Sequence, residues 1–148
     1  MTRINIGIPV EDLCDTHLLA EYRELPRMHS TAWSRWTRFQ STGPRPTRPT
    51  LGKGHVLFFL PFGMYLHRRF CALCDELVFR GRSPTLDWRR YPEAWTSGDV
   101  PLDLQEAGGV LLRARIRERL ATMRRPPVWT RRDVPAWCAE VVRHRSHT

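Results

Sequence analysis

The chain has 148 residues, of which 41% are hydrophobic; this suits one compact domain with a single core and argues against a second domain. Its 24 Lys and Arg residues outnumber 15 Asp and Glu residues, so a formal net charge of +9 predicts a polyanionic partner, most simply nucleic acid. No stretch is apolar for long enough to span a bilayer and the first residues lack a signal-peptide pattern, so a cytoplasmic, nucleoid-associated protein without membrane contact is expected.

The pattern along the chain predicts an all-α fold, with about three main helices, long irregular connections and no strands. The first helix should begin near Asp12 or Asp15, run past Pro26, which should kink it, and continue into HSTAWSRWTRF. The segment 41–50, STGPRPTRPT, holds three prolines and a glycine among polar residues, so it should be a basic loop.

A second helix is predicted in MYLHRRFCALCDELVFRG, which follows the glycine turn and apolar run GKGHVLFF. Its apolar residues recur at i, i+3, i+4 and i+7 from Phe70, and Gly81 is a plausible stop. Cys71 and Cys74 form a CxxC pair that could indicate a metal site. A structural zinc site usually needs a second pair of ligands at similar spacing, which the sequence lacks, so the two residues are predicted to be buried core thiols and no metal is expected.

The region 83–101 is rich in Trp, Pro and turn formers, and should be an irregular, partly packed connection. A third helix is predicted at about 102–123, because a Pro-Pro pair follows it. Arg115 and Arg119 share one face of this basic helix. The whole chain, 1–148, is interpreted as one domain whose last residues, about 142–148, form a frayed tail.

One acidic residue stands among the arginines of the first helix. Thr16, Arg23 and Arg27 fall near one face, since steps of seven and four residues return to nearly the same angle, and Glu24 lies about 100° from Arg23. The simplest interpretation is that Glu24 forms an i, i+3 ion pair with Arg27 on a solvated surface. The alternative is that this carboxylate does chemistry.

Three motifs and the basic third helix, followed by a Trp-containing stretch, together resemble the phage endonuclease V type of pyrimidine dimer DNA glycosylase. The motifs are MTRIN, HLLAEYRELPR and GKGHVLFF. The resemblance implies a small helical domain whose N-terminal segment threads between helices, so that the terminal amine lies beside a glutamate. It implies cleavage of the glycosidic bond of the 5′ base of an ultraviolet-induced dimer, followed by strand nicking through β-elimination. The chain departs from the phage enzyme by one extra residue before the second motif, and by Thr16 in place of a glutamine.

The resemblance also assigns roles to individual residues. Thr2 would supply the nucleophilic α-amine after removal of Met1, and Glu24 would be the catalytic carboxylate. Tyr22 and His17 would support distortion of the duplex, or would simply pack the helix. No cofactor is implied, and a monomer acting on double-stranded DNA with damaged bases or abasic sites is expected. The expected DNA-contacting set is Arg3, Thr16, His17, Tyr22, Arg23, Arg27, Arg115 and Arg119.

Elementary chemistry is compatible with these roles. An unperturbed α-amine has a pKa of about 7.7 to 8, so a useful fraction is unprotonated at neutral pH and can form an imine with a sugar. Lys53 is the chain's single lysine and thus the alternative amine. Two other functions stay open at this point: the same chemistry on a different damaged or modified base, and a non-catalytic DNA-binding module.

Overall fold

The structure, a computed structural model, describes residues 4–39, 46–52, 54–59, 61–88 and 98–145, without the side chains of residues 29, 31–39, 56 and 57. Its described residues are helical or irregular and include no strand, which confirms the all-α prediction. In the part of the chain that the structure describes, four helices have ten residues or more, rather than about three. In chain order the elements are a 3-10 turn at Val10–Asp12, α1 at Asp15–Phe39, α2 at His55–Phe58, α3 at Gly63–Phe79, α4 at Leu102–Thr122 and α5 at Ala136–Arg145.

Helix α1 begins at Asp15, one of the two predicted starts, and runs without interruption past Pro26 to Phe39. The kink at Pro26 stays a prediction. The Asp15 carboxylate accepts hydrogen bonds from Arg80 Nη1 at 2.8 Å and from the Thr130 amide at 3.1 Å. Burial alone would raise the pKa of Asp15, but the hydrogen bonds from Thr130 and Arg80 hold that pKa below its usual value. The start of α1 is thereby tied to the end of α3 and to the C-terminal segment.

Helix α3 ends where the sequence predicted. Gly81 has φ of +88°, a conformation that costs glycine little, and its amide donates to the Val78 carbonyl at 2.9 Å. The Arg82 amide reaches back to the Leu77 carbonyl at 2.9 Å. These two bonds close the last turn of α3 in the manner of a Schellman motif.

The prediction that the CxxC pair is buried was wrong. Cys71 is exposed and Cys74 is half-buried, because the inward face of α3 is formed by the residues around Phe70 and Leu73, and Cys71 follows one position later. The buried thiols are instead those of Cys14 and Cys138. Burial raises the pKa of both, that of Cys138 to about 12, so both are inert packing groups at neutral pH.

Helix α4 confirms the predicted third helix to within one residue at its C-terminal end. Helix α5, which the sequence analysis missed, packs against α4. Its last residue, Arg145, donates to the Leu120 and Met123 carbonyls at the end of α4, each at 2.6 Å. The frayed tail predicted from residue 142 is therefore wrong for residues 142–145, since these groups fix the end of α5. Residues 146–148 lie outside the described residues.

The segments that join these helices contain no helix or strand where the structure describes them. This holds for residues 46–50, 83–88 and 98–101, and agrees with the predicted irregular connections. The remainder of the two predicted loops, 41–45 and 89–97, lies outside the described residues. Within the described ranges, no helix has the length and apolar character that crossing a membrane requires.

Candidate active site

The chain before α1 runs through the middle of the domain. Ile4, Ile6 and Ile8 are each no more than 1% exposed, so the segment 4–8 is part of the core rather than a surface arm. It passes directly over α4, where a Cβ atom at Gly108 would lie 2.5 Å from the Ile6 side chain. Only a residue without a side chain permits this approach. The threaded N-terminal segment implied by the family resemblance is present from residue 4 onward.

A buried ion pair fixes the polar atoms of this segment to α1. Glu21 Oε1 accepts from the Asn5 amide at 3.1 Å and from Asn5 Nδ2 at 2.6 Å. Arg69 of α3 donates to the same carboxylate through Nε at 2.6 Å and Nη2 at 3.1 Å, and through Nη1 to the Ile8 carbonyl. Burial alone would lower the pKa of Arg69, but Glu21 raises it, so the guanidinium stays charged.

A second anchor lies closer to the N-terminus. The Ile4 amide donates to Nε2 of His55, the first residue of α2, at 3.0 Å. Farther along, the Gly7 amide donates to the Tyr65 hydroxyl at 3.4 Å. Segment 4–8 is thus bound to α1, α2 and α3 by side chains that are themselves buried. Thr2 and Arg3, which precede this segment, lie outside the described residues.

Glu24 lies one helical turn after Glu21 and has a different environment. Its side chain is 34% exposed, and it forms an ion pair with Arg27 Nη1 at 3.6 Å, with Arg27 81% exposed. The simple i, i+3 ion pair is therefore formed, but it is long and open to solvent. Arg23 and Thr16 are also exposed on α1. The structure brings an accessible carboxylate and two exposed arginines to one surface of this helix.

The basic face of α4 lies close to the start of α1. Arg115 and Arg119 both act electrostatically on His17, and burial together with these two cations lowers the pKa of His17 to about 4. Its Nδ1 atom is buried and has no hydrogen-bond partner among the described residues. The imidazole is therefore neutral at physiological pH, and Arg115 and Arg119 lie within electrostatic range of His17, which stands two helical turns before Glu24 on α1.

Tyr22 has a structural position. Its ring is stacked on Phe70 with centroids 5.8 Å apart, and its hydroxyl accepts from the Thr85 and Leu86 amides at 2.8 and 2.7 Å. This geometry favours the packing alternative for Tyr22, because the ring is buried against Phe70 and its polar end is engaged. These two hydrogen bonds hold the connection after α3 in place beside Arg23. A cavity of about 380 Å³ opens there, between that connection and α1.

Sequence reasoning missed the residues that hold the N-terminal segment, of which Glu21, His55 and Arg69 are the charged or imidazole-bearing ones. Glu21 stands inside AEYRELPR and His55 inside GKGHVLFF, so the motifs included them without revealing their partners. The pairings span 16, 51 and 48 positions along the chain, which no local periodicity can indicate. The signal available in the sequence was Glu21, an acidic residue on the inward face of a helix with no Arg or Lys three or four positions away.

The chain was also compared with models of known protein families. The model described as pyrimidine dimer DNA glycosylase matches residues 1–90, which include segment 4–8, α1, α2 and α3. Arg115 and Arg119 lie beyond the matched residues, so their connection to the site depends on the geometry of α4 alone. Since the match covers more than half of the chain, the protein belongs to the pyrimidine dimer DNA glycosylase family and is a DNA glycosylase of DNA repair.

Proposed function

We propose that the protein cleaves the N-glycosidic bond of the 5′ base of an ultraviolet-induced cyclobutane pyrimidine dimer with the α-amine of Thr2, and then nicks the strand with the help of Glu24. The observation that carries the proposal is the attachment of segment 4–8 to Glu21, one helical turn before Glu24. A terminus bound at that point cannot be far from the second carboxylate.

Chain geometry supports this pairing. From Asn5 back to Thr2 is three residues, which span at most about 10 Å when fully extended. From Glu21 forward to Glu24 is three helical residues, a rise of about 4.5 Å. An amine at residue 2 therefore has enough chain to reach the Glu24 carboxylate, provided that Met1 has been removed. Mass spectrometry of the purified protein checks that removal.

The proposed reaction needs no other reagent than water. The Thr2 nitrogen attacks C1′ of the damaged nucleotide, and the bond between C1′ and the base breaks, with its electron pair and a proton going to the base. Opening of the sugar ring leaves an imine between C1′ and Thr2 and a hydroxyl at C4′. Glu24 then takes a proton from C2′, and the electron pair released expels the 3′ phosphate, which breaks the strand. Water hydrolyses the imine and regenerates the amine.

The surrounding charges fit a DNA substrate. Exposed Arg23 and Arg27 offset the repulsion between Glu24 and the phosphates, and Arg119 extends the basic surface across to α4. A glycosylase must also kink the duplex or extrude a nucleotide to expose the sugar, at a cost of a few kcal/mol that damage reduces. The cavity beside Arg23 offers room for an extruded base. We propose that Arg3 joins this surface.

The test is borohydride trapping on DNA with an abasic site, because reduction of an imine fixes the protein to the strand. Trapping is expected for the wild-type chain and for Lys53→Arg, the matched control that removes the only lysine. Acetylation of the N-terminus of the Lys53→Arg protein should abolish it. A persistent adduct on the blocked protein would remove Thr2 from the mechanism.

Substrate choice is tested separately. Duplexes with a defined cyclobutane dimer, with an abasic site and with other damaged bases are compared under single-turnover conditions. Preferential cleavage of the dimer duplex is expected. Cleavage of the abasic duplex alone would leave the lyase step in place and refute the dimer assignment, whereas faster cleavage at another damaged base would redirect the same chemistry to that lesion.

A further inference from the structure

We propose that His55 is a positioning residue, whose Nε2 atom fixes the chain two residues from Thr2 and so sets the place of the attacking amine. The inference rests on the proposed function, since it assumes that the Thr2 amine acts beside Glu24. His55 itself need not touch DNA. Its role is to hold the Ile4 amide, which limits how far from that point the Thr2 amine can lie.

The hydrogen bonds of His55 define which nitrogen does this. Nδ1 lies 2.7 Å from the Thr50 carbonyl oxygen, which can only accept, so Nδ1 carries the hydrogen. Nε2 is then the lone-pair nitrogen, and it accepts from the Ile4 amide at 3.0 Å. A neutral imidazole with one defined tautomer therefore joins α2, the loop before it and the N-terminal segment.

The imidazole has little freedom to move. His55 is 2% exposed, and its ring meets Phe59 edge-on with centroids 5.3 Å apart. The side chain of Ile4, on the other end of the hydrogen bond, is 1% exposed. A buried acceptor whose ring is held by a neighbouring aromatic group and by a carbonyl is a rigid anchor, and rigid support is what precise placement of a reacting group requires.

Among the anchors of segment 4–8 that lie in the described residues, His55 acts nearest to the terminus. Two residues from Ile4 to Thr2 span at most about 7 Å, whereas the next anchor, Asn5 on Glu21, leaves about 10 Å of chain. Loss of the Ile4 bond would let the amine sample a larger volume while the segment stayed in the core through Glu21. Because misplacement by about 1 Å can slow a reaction by about 100-fold, loss of the Ile4 bond should slow imine formation more than it weakens DNA binding.

Two polar substitutions that differ by one methylene separate placement from packing. His55→Asn keeps an amide near the position of Nδ1, which can donate to Thr50, but has no atom at the position of Nε2. His55→Gln places an amide oxygen near the position of Nε2 and can accept from Ile4. The matched control is Tyr65→Phe, which removes the acceptor for the Gly7 amide from the same segment, farther from Thr2.

The first measurement is single-turnover cleavage of an abasic duplex, together with the Kd for a duplex that carries an uncleavable tetrahydrofuran site. We expect His55→Asn to cleave about 10- to 100-fold more slowly with a Kd within about twofold of wild type. His55→Gln should recover most of the rate, and Tyr65→Phe should stay within a few-fold. Equal losses in the Asn and Gln variants would assign His55 to packing and overturn the proposal.

The second measurement observes the amine directly and does not depend on turnover. In a Lys53→Arg background, reductive methylation with ¹³C-formaldehyde labels the α-amine alone, and NMR follows its titration. Glu24→Gln should shift the titration midpoint downward by about one pH unit, because it removes a nearby negative charge. In His55→Asn that shift should shrink by at least half, and in His55→Gln it should return.

The outcomes separate the two proposals. If Glu24→Gln does not change the titration midpoint in the protein that keeps His55, the pairing of Thr2 with Glu24 is contradicted, and with it the proposed function. A clear effect that is equally large in His55→Asn would leave the pairing in place and reject the positioning role. Thermal unfolding of each variant verifies that the measured chain is folded at the temperature of the assay.

Discussion

Glu21 and Glu24 stand three residues apart on α1, and the molecule treats them in opposite ways. The Glu21 side chain is 1% exposed and accepts four hydrogen bonds, two from Asn5 and two from Arg69. The Glu24 side chain is 34% exposed, and its ion pair with Arg27 has a length of 3.6 Å. One carboxylate has all of its acceptor capacity used, whereas the other can still accept a proton or a ligand.

The difference shows which kind of glutamate can take part in a reaction. A carboxylate whose lone pairs are occupied by buried donors is a structural group, because any reaction would leave its partners unsatisfied. A carboxylate with one long, solvent-screened contact can exchange that contact for a substrate at little cost. Sequence alone cannot separate the two, since both lie in AEYRELPR.

The sharpest way to break the comparison is Glu24→Gln, which keeps the shape and removes one negative charge from a basic surface. If Glu24 takes the C2′ proton, single-turnover cleavage should fall by about 10²- to 10⁴-fold, the usual contribution of a positioned acid or base. Binding to a dimer-containing duplex should hold or tighten. The free energy of unfolding should change by at most about 1 kcal/mol, as for an exposed pair.

The opposite pattern belongs to a purely structural Glu24. In that case stability would drop slightly and cleavage would stay near normal, and such a result would overturn the mechanism proposed here. Cleavage and binding are measured on one dimer-containing duplex, so that a change in substrate affinity cannot be mistaken for a change in chemistry.

The same substitution at Glu21 should act on stability instead. Glu21→Gln leaves the buried, charged Arg69 without its counter-ion, which should cost about 3 to 5 kcal/mol of unfolding free energy. Urea unfolding measures the loss. Replacing both partners, as in Glu21→Met with Arg69→Met, should recover much of it, because no uncompensated charge then remains buried.

An equal stability loss in the double variant would show that the hydrogen bonds to Asn5 and Ile8, rather than the ion pair, dominate this cluster. A Glu21→Gln protein as stable as wild type would show that the buried ion pair is not what holds the segment. In either case the contrast between the two glutamates would be weaker than their exposure suggests.

Local patterns predicted the parts of the fold that local rules decide. The end of α3 followed from Gly81, and the end of α4 followed from the Pro-Pro pair after it. Helix α5 was missed because its apolar residues are not concentrated on one helical face. A basic last turn, Arg143–Arg145, and Pro135 directly before Ala136 were signals that could have found it.

The candidate site was predictable only in part, for a physical reason. The accessible residues Glu24, Arg23 and Arg27 stand in one motif on one helix, so helical geometry places them together. The anchors of segment 4–8 come from α1, α2 and α3, and their pairing depends on how these helices pack. Burial of a polar side chain and the partner that satisfies it are properties of the folded chain as a whole.

His17 lies on α1, one turn before Glu21 and on the same face as Glu21. It offers a pH test of the contrast between groups whose hydrogen bonds are satisfied and groups that are open to solvent. The pKa of His17 is about 4, below the usual value of about 6.5. In the window between these two pH values, the unfolded chain binds a proton at His17 that the folded chain does not bind. The contribution of neutral His17 to stability is fully present above pH 6.5. The free energy of unfolding should fall by about 2 to 3 kcal/mol as the pH approaches 4. Urea unfolding at several pH values measures this slope.

The control for that slope is His17→Gln, which cannot be protonated. The decline between pH 6.5 and 4 should be smaller in this variant than in wild type. Asp15 and Glu76, whose pKa values are lowered by Thr130 and by Arg132 and Arg80, lose their stabilisation mainly as the pH falls below their ordinary values of 3.8 and 4.5, so they contribute only at the acidic end of this window. Parallel slopes in the two proteins would mean that another group titrates there.

The smallest expected effect concerns the arginines that pair with the two glutamates, Arg69 with Glu21 and Arg27 with Glu24. Arg69 is fixed on Glu21 in the interior, whereas Arg27 is exposed and can leave Glu24 for a phosphate. Arg27→Ala should therefore lower the slope of log K against log salt by about 0.9, which corresponds to about a threefold difference in affinity over a fourfold change in salt.

Arg119→Ala tests the same property on α4, with a similar expected change if that face also meets the backbone of DNA. The comparison variant is Arg69→Met combined with Glu21→Met, which alters two buried charges and should leave the salt slope unchanged. Binding to an undamaged duplex at four salt concentrations decides the matter. If the buried pair changed the slope as much as Arg27 does, the interior and the surface of α1 would not differ in the way that their exposure indicates. If neither Arg27→Ala nor Arg119→Ala changed it, the DNA would bind to another surface.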